Sequence, residues 1–91
     1  MTVYCVSYDL NKTGQSYSAL YDELKASPGW WHNLDSTWLV ATHESADQLC
    51  DRLLRHLDQN DRLLVIKVVK PFQGFLTEKA WEWIRAHVTE S

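Results

Sequence analysis

The sequence predicts an α+β domain with the ferredoxin-like β-α-β-β-α-β order, an antiparallel sheet, and an additional C-terminal helix. Three observations carry that expectation: an apolar N-terminal run ending at Asp9, two stretches of helical spacing on either side of a pair of aromatic and β-branched runs, and a late apolar run over 63–69. Ninety-one residues hold one core, so 1–91 is read as a single domain with its core over 2–70 and its last helix over 77–88. A content of 45% hydrophobic and 23% charged residues belongs to an ordinary folded domain and excludes a disordered tail.

The first strand covers Val3 to Asp9, where apolar groups occur at both odd and even positions, the pattern of a central strand covered on both sides. After the turn-forming Asn11-Lys12-Thr13-Gly14, Ser16 or Ser18 can cap a helix whose apolar positions Tyr17, Leu20, Tyr21 and Leu24 share one face. Ser27-Pro28-Gly29 stops it. Trp30–Leu34 and Thr37–Thr42 form a hairpin about Asp35-Ser36. Ser45 and Gln48 have capping-box spacing ahead of the stripe Ala46, Leu49, Cys50, Leu53, Leu54, Leu57, and Asp58-Gln59-Asn60-Asp61 closes that helix. Leu63–Val69 is the fourth strand, interrupted by Lys67. Pro71 and Gly74 mark a loop, Thr77 can cap, and Ala80, Trp81, Ile84 and Val88 share a face from which Trp83 departs. Right-handed crossovers give the sheet order fourth, first, third, second, with both internal helices on one face. Five Trp and four Tyr supply more apolar area than that one face needs, so the last helix or a second subunit should cover the other.

Cys5 and Cys50 are too few for a disulfide framework and read as small buried hydrophobes of a reducing compartment. No secretory leader or membrane-length apolar run is visible, which predicts a cytoplasmic protein with no membrane association. A net charge of −3 argues against tight unassisted binding to long DNA, because phosphate neutralisation supplies most of that affinity. It leaves room for a local basic patch or for carboxylates that meet phosphate through a divalent metal.

The predicted topology gathers the end of the first strand at Asp9, the bend at Asp35-Ser36, the helix end at Asp58 and the start of the fourth strand at Asp61 on one rim. Asp9 is the most central carboxylate there, with Ser36 and Asp61 on neighbouring strands and Asn11 and Lys12 beside it. Hard oxygen ligands of this kind suit Mg2+ or Mn2+, and a metal-bound water can attack a phosphodiester. Turns prefer the same residue types for purely conformational reasons. His32, His43, His56 and His87 lack metal-ligand spacing, and Ser7 and Ser36 lack the partners of a hydrolase triad. Trp30, Trp31 and Trp38 could stack bases, although packing is their commoner use.

Tyr8-Asp9-Leu10-Asn11, Trp30-Trp31-His32, Asp35-Ser36-Thr37-Trp38-Leu39-Val40 and Asp61-Arg62-Leu63-Leu64-Val65, in this order, resemble the CRISPR-associated protein 2 superfamily. The match is nearest to its stand-alone bacterial "SinR family" relatives and spans the chain to about Val69. The resemblance implies a ferredoxin-like homodimer in which the Asp ending the first strand, here Asp9, faces its twin as a metal ligand. Some members are metal-dependent nucleases and others are non-catalytic scaffolds that hold DNA. This chain departs from the pattern in its acidity, its few Arg and Lys after the first strand, and its C-terminal helix.

Two functions compete. In one, Asp9 from each subunit holds Mg2+ or Mn2+, Asn11 and Ser36 orient water or phosphate, Lys12 offsets charge, and the dimer cuts RNA or DNA. In the other, a non-catalytic dimer binds a protein partner, or helps a partner hold nucleic acid, through its aromatic surface. A third reading, an RNA-recognition-like sheet, requires exposed aromatics on the first and third strands and lacks the glycine-rich basic signature.

Overall fold

The computed structural model describes residues 1–11 and 17–90. Four strands and three helices follow one another as β1 (Thr2–Asp9), α1 (Ser18–Lys25), β2 (Gly29–Leu34), β3 (Thr37–Thr42), α2 (Ala46–Leu54), β4 (Arg62–Lys67) and α3 (Glu78–His87). The sheet is antiparallel throughout in the order β2-β3-β1-β4, the order expected from the sequence. The central strand β1 pairs Ser7 with Thr37 on one side and Asp9 with Arg62 on the other.

Side chains alternate across the pleat, so each strand feeds two different layers. Tyr4, Val6 and Tyr8 of β1 and Trp38 and Val40 of β3 pack beneath α1 and α2, against Leu20, Leu24, Leu49 and Leu53. Each of those four leucines is fully buried and contributes about 1.5–3 kcal/mol by leaving water. On the opposite face Val3 and Ala41 meet Ile84 and Val88 at the end of α3. The last helix therefore covers part of the second face.

Local signals explain most boundaries. Ser45 accepts from the Gln48 backbone N–H at 3.2 Å while the Gln48 side chain accepts from the Ser45 N–H at 2.9 Å, completing the capping box. Thr77 caps α3 by accepting from the Ala80 N–H at 3.3 Å. The start of α1 differs from expectation: Tyr17 holds the cap position without a side-chain cap bond, and Ser18 is already the first helical residue. The alternative cap Ser16 lies outside the described residues, as does Lys12.

Two further expectations are corrected. Neither Cys5 nor Cys50 is fully buried; both are half-buried free thiols, and burial pushes both up from their ordinary pKa. The fourth strand, expected over Leu63–Val69, runs over Arg62–Lys67. Strand β4 is an edge strand ending at Lys67, with Leu64 56% and Ile66 53% exposed on the face that α3 leaves uncovered.

Candidate functional site

Asp9 ends β1 and therefore falls in the same alternating set as Val3, Cys5 and Ser7, on the face away from α1 and α2. The hairpin bend is drawn against this end of β1 by a 3.1 Å bond from the Tyr8 N–H to the Ser36 carbonyl. Asp9 and Ser36, together with Ser7, Tyr8, Arg62 and Leu64, line an open recess of about 420 Å3. Asp9 and Ser36 thus share one rim, as the sequence predicts.

Asp9 is exposed, and its carboxylate makes no hydrogen bond or ion pair among the described residues. Arg62, its register partner, is turned away: its Nη1 donates to the carbonyls of Gln59 at 2.9 Å and Asp61 at 2.8 Å. A strand-end carboxylate left in this state is open to an external cation or donor.

The other rim residues are occupied elsewhere. Asn11 does not line the recess; its backbone N–H donates to Asp61 Oδ1 at 2.9 Å and its side-chain amide donates to the Asn60 carbonyl at 3.0 Å. Asp61, expected on a strand neighbouring Asp9, is buried and accepts in addition from the Tyr17 hydroxyl at 2.8 Å and the Asp58 N–H at 3.1 Å. Several donors around one buried carboxylate make it a structural tie between the start of β4 and the loop after β1. Asp58 accepts from the Asn60 N–H at 2.8 Å within the same turn. Among the described residues no group of three or more His, Cys, Asp or Glu could hold a metal ion.

The aromatic residues divide by depth. Trp38 is buried and its Nε1–H donates to the Tyr8 hydroxyl at 3.0 Å, with the His32 ring stacked on it at 3.9 Å. Trp30 is exposed, with the Lys25 ammonium 5.6 Å above its ring. Tyr4, Tyr8 and Trp38 all lie beneath helices, so the RNA-recognition reading loses the exposed aromatics that it requires on β1 and β3. Sequence reasoning did not single out Arg62 and Leu64 at the recess. The period-two reading of β4, which puts residues 62, 64 and 66 on the face of Asp9, was the available signal.

No protein-family model, curated protein or solved structure matches the chain. No helix among the described residues is long and apolar enough to cross a membrane.

Proposed function

We propose that the chain acts as a homodimer similar to CRISPR-associated protein 2, in which Asp9 from two copies binds Mg2+ or Mn2+ at a site that cleaves RNA or DNA. The observation that carries this reading is the pairing of an exposed, unpartnered Asp9 with exposed Leu64 and Ile66 on one sheet face. A second copy over that face would remove the two apolar side chains from water and bring in a second carboxylate. Two such carboxylates, one from each chain, with water and phosphate in the remaining positions, match the usual ligand set of Mg2+. When bound, the metal supplies Lewis-acid activation of water or phosphate. Ser36 offers a hydroxyl at the same recess, whereas Asn11 serves the β4 turn. The test is cleavage of labelled RNA and DNA by purified protein with Mg2+ or Mn2+, alongside sedimentation velocity. A dimer whose cleavage falls at least 100-fold in Asp9→Asn is expected; cleavage indifferent to that change defeats the proposal.

A non-catalytic dimeric scaffold is the second reading. It is favoured by the lack of a three-ligand cluster among the described residues and by the net charge of −3. A dimer that binds nucleic acid or a protein partner and stays inactive with both metals supports it.

A further inference from the structure

We infer that the groove between the loop at 70–73 and α3 is a binding site for a small planar aromatic anion. It is an open surface groove of about 620 Å3 lined by Lys70, Pro71, Phe72, Gln73, Trp81 and Arg85. Its floor is aromatic: the rings of Phe72 and Trp81 lie 6.2 Å apart and 17° from parallel. Trp81 is held in place by the cluster around Ile84 and Val88, while Phe72 remains 36% exposed on the loop. A flat ring laid on this pair gains stacking contact that water cannot offer.

Charge selects among flat rings. Lys70 and Arg85 flank the aromatic pair in a chain that is acidic overall. The Lys70 ammonium has no acidic partner among the described residues, the neighbouring Glu90 being paired with Lys67 at 2.6 Å. Arg85 reaches Glu78 only at 3.5 Å, and both side chains are exposed, so that pair is weak and readily exchanged for an anion on the ligand. A neutral aromatic would leave both cations unused. A phosphate or carboxylate attached to the ring would meet them, which makes mononucleotides and aryl carboxylates two sources of the same chemistry.

The groove is independent of the Asp9 recess. Asp9 pairs with Arg62 and Tyr4 with Lys67, so the two sites sit at opposite ends of β4, separated by five strand steps or roughly 17 Å. Titration of 15N-labelled protein in buffer containing EDTA, followed at the Trp81 indole N–H, tests the inference without involving a metal. Adenosine 5′-monophosphate or indole-3-acetate should shift that resonance saturably, at least fivefold more tightly than adenosine or indole respectively. Which of the two anions binds more tightly identifies the source. Phe72→Ala should weaken binding at least fivefold, and the surface double change Lys70→Gln with Arg85→Gln should abolish the preference for the anion. The inference is overturned if neither anion gives a saturable shift, if ribose 5-phosphate shifts Trp81 as much as the nucleotide does, or if charged and neutral rings bind alike.

Discussion

Trp31 and Trp38 stand on opposite faces of the β2–β3 hairpin and differ in one bond. The Trp38 indole N–H donates to Tyr8, whose hydroxyl in turn donates to the Asp35 carbonyl at 3.4 Å. The Trp31 indole N–H is buried with no acceptor among the described residues. A buried donor without a partner costs about 1–3 kcal/mol, whereas a made bond contributes about 0.5–1.5 kcal/mol. Trp31→Phe removes the orphan at the cost of some ring volume and should change unfolding free energy by less than about 1 kcal/mol in either direction. Trp38→Phe strips Tyr8 of its donor and opens a void in the main core, so a loss of about 1–3 kcal/mol is expected by urea denaturation. Equal losses for the two variants would contradict this account of the indoles.

At the scale of elements, one arginine fastens α2 to its surroundings. Arg52 donates to Glu44 at 2.8 and 3.0 Å, to Glu23 Oε2 at 3.1 Å, to the Glu23 carbonyl at 2.6 Å and to Ser27 at 3.0 Å, tying α2 to α1 and to the loop after β3. Hydrogen bonds from His56 and then Arg52 hold Glu23 below its ordinary pKa of 4.5, and the bond from Arg52 does the same for Glu44. Lowered carboxylate values in the folded chain mean that the stabilisation is complete above pH 4.5 and is lost as pH falls from there through the folded values. The midpoint of thermal unfolding should therefore drop on acidification below that point, and Arg52→Met should flatten the drop while lowering the midpoint at neutral pH. Ser45→Ala removes one half of the capping box and should cost about 1 kcal/mol, read by urea denaturation at pH 7.

For the whole molecule, the pattern of elements was legible because each carries a local signature: a capping box before α2, helical spacing on Leu49 and Leu53, and aromatic hairpin strands about Asp35-Ser36. The order of those elements, through the sheet topology it implies, also puts Asp9 and Ser36 on one rim. What the linear pattern hid is tertiary. The sequence expects the last helix or a second subunit over the second face, and only the folded chain shows that α3 reaches Val3 and Ala41 while Leu64 and Ile66 stay bare. Asp61 has the composition of a metal ligand, and only the folded chain shows its donors. Because Leu64 and Ile66 contribute little to the core of the single chain, Leu64→Lys with Ile66→Lys should leave each chain's stability within about 0.5 kcal/mol per site and abolish the proposed dimer in sedimentation. The junction of the hairpin with α3 depends on Gly29: a β-carbon there would lie 3.1 Å from the Ala41 β-carbon and 3.4 Å from His87 Nε2. Gly29→Val would then act as a wedge at the root of the hairpin, prising the terminal helix from the sheet while the layer beneath α1 and α2 stays intact. The bare backbone at position 29 is thus what lets the end of α3 settle over Val3 and Ala41, so the seat of that helix rests on an absent side chain.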